Sequence, residues 1–389
     1  METTAAPQPS FTVAGNRLTL LTEGPERMAA LLALIAGATR SVRALYYIYC
    51  DDEAGVAMRD ALIAAARRGA RVSLIVDALG SEPAVQSAFF APLRAAGVTV
   101  CAFVPRWGRR YLLRNHQKLL IADDASAIVG GFNIQASYFG RTEDAAWRDL
   151  GLAVEGPAVP RLAGYFDALQ AWSQQPRARL GKLRRLLKHW SEPAGDARWL
   201  LGGPTRRLSP WARVVRKDMA SAARTDILAA YFVPTPGMLR RLDRIGVRGR
   251  VRVVLPSKTD NGASLWGARF TYRHLLKNGV EIYEYQPTKL HTKLFVIDDV
   301  VHIGSANFDA RSLFLNLELM LRVEDAAFAA HVRAYVDGEV AASLRITDAI
   351  HRARSPLWVR VKQAAAYFVM AVVDYNVSRR LNFGPERRP

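Results

Sequence analysis

Two stretches of this chain carry the same polar residues at nearly the same spacing. In the first, His116, Lys118 and Asp123 precede the turn Gly130-Gly131-Phe132-Asn133. In the second, His291, Lys293 and Asp298 precede Gly304-Ser305-Ala306-Asn307. The offset is 175 residues between the histidines, 174 between the asparagines, and 182 between the glycines Gly97 and Gly279. An offset so nearly constant points to duplication. A duplicated chain of this kind can fold as two pseudo-equivalent halves that share one site at their interface, with two histidines and two lysines facing a common point.

The apolar patterning repeats in the same order. In the first half, Ala44–Tyr49 reads as a strand, and an alanine-rich helix from Ala54 to Arg68 ends at Gly69, where a C-terminal glycine belongs. Strands at Val72–Val76 and Val98–Val104 flank a second helix. In the second half, Asp226–Phe232 reads as a strand, Met238–Ile245 as a helix, and Val251–Leu255 and Val280–Tyr285 as strands. Alternation of this kind predicts an α/β sheet with helices on both faces.

Between the halves, Pro176–Trp190 carries Arg177, Arg179, Lys182, Arg184, Arg185 and Lys188 and no acid. Leu180, Leu183, Leu187 and Trp190 fall near helical spacing, so the segment reads either as an amphipathic helix on a membrane surface or as a linker helix lying on its own protein. The expected division is residues 15–175 and 221–345 for the two domains, 176–220 for a basic linker, and 346–389 for a basic and apolar tail. That tail reads as a second membrane-facing element or as a helix packed across the core.

Fifty-four Lys and Arg against 35 Asp and Glu give a net charge of +19 in 389 residues. Such a charge favours an anionic partner, nucleic acid or an anionic lipid surface. Two cysteines, Cys50 and Cys101, both in segments that read as strands, exclude a disulfide framework and argue against zinc. The first 13 residues lack the apolar core of a secretory signal. The longest clean apolar run, Ala364–Val373, is shorter than the roughly 20 residues a membrane span needs. The expectation is a protein that is cytosolic or peripheral on a membrane's inner face.

The repeated residues suit attack on a phosphodiester, which is anionic and repels nucleophiles. Lys118 and Lys293 would neutralise the non-bridging oxygens, and the amides of Asn133 and Asn307 would donate to them. One imidazole would attack phosphorus, and the other would protonate the leaving oxygen and then deprotonate the acceptor. The lysines do the electrostatic work of a cation, so no metal and no cofactor is called for. Residues two apart on a strand share a face, so each His-x-Lys pair would point to one place. His189, His274, His302, His331 and His351 lack partner spacing and read as surface or packing residues. Tyr46, Tyr47 and Tyr49 read as core. Trp107, Tyr111 and Trp266 are candidates for an acyl-chain entrance.

The pattern resembles the phospholipase D superfamily, whose signature is HxK, four residues, D and a GSxN-like turn. The resemblance narrows to bacterial cardiolipin synthases over roughly residues 15 to 345. It is carried also by Tyr47-Ile48-Tyr49-Cys50-Asp51-Asp52-Glu53-Ala54-Gly55, by Trp147-Arg148-Asp149 leading to Glu155-Gly156-Pro157-Ala158-Val159, and by Arg311-Ser312-Leu313-Phe314-Leu315-Asn316-Leu317-Glu318. It implies two pseudo-symmetric phospholipase D-like domains, each a mixed β-sheet flanked by helices, with one active site at their interface. It implies that an acid some 25–35 residues after each motif histidine, here Asp149 and Glu318, accepts a hydrogen bond from that imidazole. Such an acid fixes the tautomer and stabilises imidazolium. It implies structural, loop-tying roles for Asp123 and Asp298, and His116 as nucleophile with His291 as acid and base. Gly131 stands where many members have serine.

The expected activity is therefore phosphatidyl transfer from phosphatidylglycerol or a similar donor, through a phosphohistidine, to a glycerol hydroxyl of a second phospholipid, forming cardiolipin and releasing an alcohol, with phosphatidylglycerol and phosphatidylethanolamine as the candidate substrates. An anionic membrane surface is the expected partner, with the enzyme peripheral on the cytoplasmic face of the bacterial inner membrane. Hydrolysis of the phospholipase D type, or a metal-independent nuclease on the same scaffold, is the alternative. Nucleic acid is the less favoured partner, because the arginines are widely distributed and the resemblance extends beyond the motifs.

Overall fold

The computed structural model describes residues 8–104, 113–176, 178–205 and 208–373. In the first half, strands β1 (Ser10–Val13), β2 (Asn16–Leu21), β3 (Ser41–Tyr46), β4 (Arg71–Asp77), β5 (Thr99–Phe103), β6 (Leu119–Ala122), β7 (Ser126–Gly130) and β8 (Gly151–Glu155) form one sheet. Their spatial order is β1-β2-β8-β7-β6-β3-β4-β5. The second half contributes β9 (Ala197–Gly202), β10 (Arg224–Ala229), β11 (Phe232–Val233), β12 (Arg250–Pro256), β13 (Val280–Tyr285), β14 (Lys293–Ile297), β15 (Val300–Gly304), β16 (Phe308–Asp309), β17 (Glu318–Glu324) and β18 (Ser343–Ile346). Its sheet runs β18-β13-β12-β10-β14-β15-β17-β9, with β11 and β16 paired separately.

Read from opposite ends, the two orders share a run of seven strands, with β1 added outside one end of the first sheet and β18 outside the other end of the second. β3, β4 and β5 are parallel neighbours, as are β10, β12 and β13. β6, β7 and β8 form an antiparallel meander, as do β14, β15 and β17. β2 and β9 occupy equivalent positions beside β8 and β17, β9 at the edge of its sheet and β2 covered by β1. Each half is therefore a mixed sheet, as the resemblance implies. The parallel strands need long crossovers, which the helices supply, and the meander needs only tight turns.

Helix ends follow local chemistry. Asp52 caps Glu53–Arg67 by accepting the Gly55 N–H at 2.9 Å. Gly69 ends that helix at φ +96°, a conformation costly for a residue with a Cβ. One apolar core is shared by the two sheets. Leu45, Leu119 and Leu152 of the first lie in the same buried cluster as Leu228, Leu294 and Leu319 of the second, with the helices Val159–Gln174 and Ala326–Ala341 between.

Several expectations need correction. The strand expected over Ala44–Tyr49 ends at Tyr46. The chain then leaves the sheet so that Cys50 donates its N–H to the Ile134 carbonyl at 2.8 Å. Cys50 thus lies outside any strand, whereas Cys101 is in β5. The segment expected as linker is mostly part of the folded body. β9 is an edge strand of the second sheet, and the helix Pro210–Ser221 buries Trp211 and Val215 against that sheet's outer face. The basic helix Leu180–Trp190 turns Leu183 and Leu187, both 0% exposed, into the shared core. Its apolar stripe is occupied by its own protein and only its charged face remains outward.

In the tail, Ser343–Ile346 completes the second sheet, and the helix Leu357–Phe368 lies across the helix Gly262–Lys277. No described helix is long and apolar enough to cross a membrane. Trp107, Tyr111 and Arg177 lie outside the described residues. Trp266 lines a cavity beneath the tail with Arg269, Glu284 and Gln363, and none of the motif residues lines it.

Candidate active site

Each His-x-Lys lies at the entry to the first strand of a meander, and there the two halves are sewn together. The His116 N–H donates to the Leu317 carbonyl at 2.9 Å, and the Leu317 N–H donates to the Arg114 carbonyl at 2.9 Å. The mirror arrangement has the His291 N–H donating to the Arg148 carbonyl at 2.7 Å and the Arg148 N–H to the Lys289 carbonyl at 2.9 Å. These are short parallel bridges between halves. Each holds one half's histidine beside the residue that precedes the other half's acid.

The pairing of acids with histidines is consequently crossed. His116 Nδ1 lies 3.1 Å from Glu318 Oε2, and His291 Nδ1 lies 2.7 Å from Asp149 Oδ2. The expectation that each histidine pairs with the acid following it in its own half is overturned. The reason is the bridge register: Leu317 and Arg148 dock against the opposite half, and Glu318 and Asp149 are the next residues in the chain. With Nδ1 of each ring engaged, Nε2 of each is left as the reactive nitrogen.

The His-x-Lys alternation sends the two functional residues to one side and the middle residue to the other. The Gln117 amide donates to Tyr165 Oη at 2.7 Å and to the Glu318 carbonyl at 3.1 Å, inside the shared core. Lys118 Nζ donates to the His116 carbonyl at 2.6 Å and sits 5.3 Å from the Tyr47 ring centroid. Lys293 Nζ donates to the His291 carbonyl and lies 2.9 Å from Nδ1 and 3.2 Å from Nε2 of that ring. Both lysines are 1% exposed.

Burial shifts these groups, and each half's lysine acts on the other half's histidine. Burial, then Lys118 and Lys293, push His116 well below the ordinary histidine value. Burial and Lys293, with a contribution from Lys118, bring His291 down to about 3, while Asp149 pulls the other way. Burial lowers Lys118 well below the usual range and brings Lys293 to about 8. The acids differ. Burial raises Glu318 to about 8, with Lys118 and the Ser305 hydroxyl opposing. Burial alone would raise Asp149 too, but Lys293, His291 and Arg27 outweigh it and hold it below the usual carboxylate range.

That difference has a structural counterpart in the two turns. Ser305 Oγ donates to Glu318 Oε2 at 2.5 Å. At the equivalent Gly131, an added Cβ would lie 2.5 Å from Asp149 Oδ1. The shorter acid occupies the space a serine would need, and its Oδ1 accepts the Leu150 N–H at 2.7 Å instead.

The asparagines are oriented from behind. Asn133 Oδ1 accepts the Ile48 N–H at 3.2 Å, and Asn307 Oδ1 accepts the Tyr231 N–H at 3.3 Å. With the carbonyl oxygen held, the NH2 is the end left to donate. That of Asn133 donates to Tyr138 Oη at 3.0 Å, and the same oxygen lies 3.4 Å from His291 Nε2. The motif aspartates lie elsewhere. Asp123 accepts the backbone N–H groups of Thr39, Arg40 and Ser41 at 2.7–2.9 Å, and Asp298 accepts those of Ala223 and Arg224. Both tie down the loops that enter β3 and β10.

Sequence reasoning missed Tyr47, Tyr138, Tyr231 and Arg27. Tyr47 is half-buried rather than core, its ring 5.1 Å from that of His116. Tyr231, immediately before β11, has its ring 6.4 Å from that of His291. Arg27 is buried and donates to the carbonyls of Asp149 and Tyr138 at 2.6 and 2.7 Å, bracing the His291 side. Of these, Tyr138 carried a signal: it follows Asn133 by five residues, within reach of the same turn. Of the other histidines, His302 is buried with Nε2 2.8 Å from Asp218 Oδ2, and His274 pairs at the surface with Asp243. Among the described residues no cluster of His, Cys, Asp and Glu has the makings of a metal site.

The family model described as cardiolipin synthase, PLD-like domain, matches residues 31–167 and 215–339, one match per half. The major cardiolipin synthase ClsA of Bacillus subtilis is 31% identical over 92% of this chain and 76% of its own length. A cardiolipin synthase of Geobacillus kaustophilus is 32% identical over 78% of this chain, which spans 62% of that relative. Cardiolipin synthase B of Salmonella typhimurium is 30% identical over 91% of this chain and 87% of its own length. In fold, the chain superposes on the crystal structure of phosphatidylserine synthase from Haemophilus influenzae with a TM-score of 0.73 at 12% identity, over 96% of this chain and 97% of that one. The chain belongs to the cardiolipin synthase family of phospholipase D-like phosphatidyltransferases.

Proposed function

We propose that the protein transfers a phosphatidyl group from phosphatidylglycerol to a hydroxyl of a second phospholipid, forming cardiolipin. The observation that carries the reading is the crossed pair of His–carboxylate contacts, which leaves Nε2 of each imidazole unengaged by the acids, with a buried lysine beside each histidine.

His116 Nε2 attacks phosphorus, and the P–O bond to the glycerol headgroup breaks. His291, as imidazolium, gives its Nε2 proton to the leaving alkoxide, and glycerol departs. The incoming hydroxyl then gives its proton to His291 as it attacks phosphorus, the P–N bond breaks, and His116 is free again. Asymmetry between the acids supports this division of labour. His291 is paired at short distance with an acid held ionised, the partner an imidazolium needs, whereas Glu318 beside His116 favours its neutral form. In the free site the lysines disfavour protonated His291. A bound phosphodiester adds negative charge beside them and raises that imidazole toward the range of a working acid.

The place of work would be the cytoplasmic face of the bacterial inner membrane, with the protein peripheral and phosphatidylglycerol as acceptor; phosphatidylethanolamine, which has no free hydroxyl, would serve only in place of the donor, releasing ethanolamine instead of glycerol. The test is product analysis by mass spectrometry after incubation with phosphatidylglycerol vesicles. Cardiolipin should form with wild type and not with His116→Ala or His291→Ala. Absence of cardiolipin from wild type with either co-substrate, or cleavage of plasmid DNA without lipid turnover, overturns the reading.

A further inference from the structure

The tail helix Leu357–Phe368 is amphipathic in an unusual sense: its inner face is satisfied and its outer face is apolar. Val359 and Gln363 are buried, and Gln363 Nε2 donates to Ser355 Oγ at 3.1 Å. On the outside, Leu357, Trp358, Val361 and Phe368 are 57–77% exposed, and Val369 just beyond is 53% exposed. With Ala365, the four helical residues fall within about 100° of arc at about 3.6 residues per turn. A stripe of large apolar groups this continuous is rare on a surface that meets only water.

Its flanks are basic. Arg360 and Lys362 stand on either side of the stripe, with Lys362 Nζ 4.9 Å from the Trp358 ring centroid. Arg352 and Arg354 precede it, and Asp348 is the one acid in 343–373. An apolar stripe bordered by cations fits the interface of an anionic bilayer, where apolar groups enter the acyl boundary and cations meet the headgroups. A protein partner would meet the stripe equally well but would not account for cations on both borders.

The helix is also fixed to the candidate active site. Tyr367 Oη donates to the Pro234 carbonyl at 3.0 Å, and its ring stacks on Phe270 at 4.8 Å. Pro234 follows β11, which pairs with β16 directly after Asn307, and Tyr231 directly before β11 faces His291. The end of the helix carrying Phe368 and Val369 is therefore pinned to the strand that flanks the catalytic pocket.

We propose that the helix Leu357–Phe368 is an in-plane membrane-docking element, its Leu357/Trp358/Val361/Phe368 stripe seated in an anionic lipid interface beside the candidate active site. The choice of lipid as occupant rests on the phosphatidyl-transfer reading, but docking is measurable without turnover.

The experiment is flotation of the full chain with vesicles of phosphatidylcholine, with and without phosphatidylglycerol. It compares wild type with the triple variant Trp358→Ser, Val361→Ser, Phe368→Ser and the double variant Arg360→Gln, Lys362→Gln. All five positions are exposed, and retained thermal unfolding checks that the variants fold. The triple variant should partition on the order of a hundredfold more weakly. The double variant should lose binding chiefly to vesicles containing phosphatidylglycerol, and brominated-lipid quenching should report Trp358 against Trp358→Phe. Wild-type binding by the triple variant overturns the proposal. So does a wild-type dimer in sedimentation that the triple variant loses, with no vesicle binding by either. Vesicle binding with no cardiolipin produced would leave docking standing and sink only the transfer reaction.

Discussion

His116 Nδ1 and Glu318 Oε2 lie 3.1 Å apart although 202 residues separate them in sequence, and they come from opposite halves of a duplicated chain. His291 and Asp149 repeat the relationship in reverse at 2.7 Å. Neither half holds a complete His–carboxylate pair, so the two must dock before either imidazole is oriented.

The two acids should not be equivalent. Asp149 is held ionised beside His291, so Asp149→Asn removes the charge that stabilises an imidazolium and should lower kcat by roughly a thousandfold or more. Glu318 favours its neutral form, and an amide oxygen can still accept from His116, so Glu318→Gln should cost about tenfold. Steady-state phosphatidyl transfer by both variants checks this. Equal losses would remove the basis for assigning different roles to the histidines.

A serine at position 131 should harm the protein although the other half carries one. Its Cβ would press on Asp149 Oδ1 and displace the carboxylate from His291. Misplacement of this size should reduce kcat by about a hundredfold. Kinetics of Gly131→Ser, beside Gly131→Ala to separate crowding from the hydroxyl, would measure it.

Tyr138→Phe removes the oxygen that links the Asn133 amide to His291 Nε2. It should leave a buried N–H without a partner and destabilise by about 1–2 kcal/mol. A fall in kcat of about tenfold, with KM changed little, would mark the hydroxyl as a positioning group for His291. Chemical denaturation and steady-state kinetics on one preparation give both readings.

Stability should fall with acid. His291 is held at about 3 in the fold against 6.5 in the unfolded chain. Below pH 6.5 the unfolded state takes up a proton that the folded state refuses until near pH 3. Stability is therefore full above pH 6.5 and lost as pH falls through that window, by about 1.4 kcal/mol per pH unit for each such histidine. His116 and His302 are shifted the same way. Urea unfolding from pH 7 to 4.5 should be shallower in pH for His291→Asn than for wild type. Identical slopes would mean that the ring is not held neutral.

Asp123→Ala removes an acceptor for three backbone N–H groups and the Thr39 hydroxyl, far from the histidines. It should lower stability by about 1–2 kcal/mol and leave kcat within about twofold. Thermal unfolding and transfer kinetics separate the two effects.

The duplicated His/Lys/Asp/Asn sets and the α/β character of the halves were legible because each follows from spacing along the chain, whereas Asp149 and Glu318 were singled out only by the resemblance to the phospholipase D superfamily. Strand periodicity puts His116 and Lys118 on one side of Gln117, and the near-constant offset requires two like halves. The partner of each acid was not legible. It depends on Leu317 meeting Arg114 and on Arg148 meeting Lys289, backbone pairings between segments whose relative register no local pattern encodes. β9 was hidden inside a basic stretch, because an edge strand of six residues gives little periodicity. The leucines of the helix Leu180–Trp190 have the spacing of a membrane face. Only the shared core between the sheets, which takes up Leu183 and Leu187, decided that they face inward. The outward stripe of the helix Leu357–Phe368 was decided in the same way, because Val359, Gln363 and Tyr367 found partners first. Sequence thus determined which groups the protein owns and on which strands they sit. Tertiary packing alone determined which of them meet, because contact across a duplicated interface depends on how two surfaces dock and not on the order of residues within either.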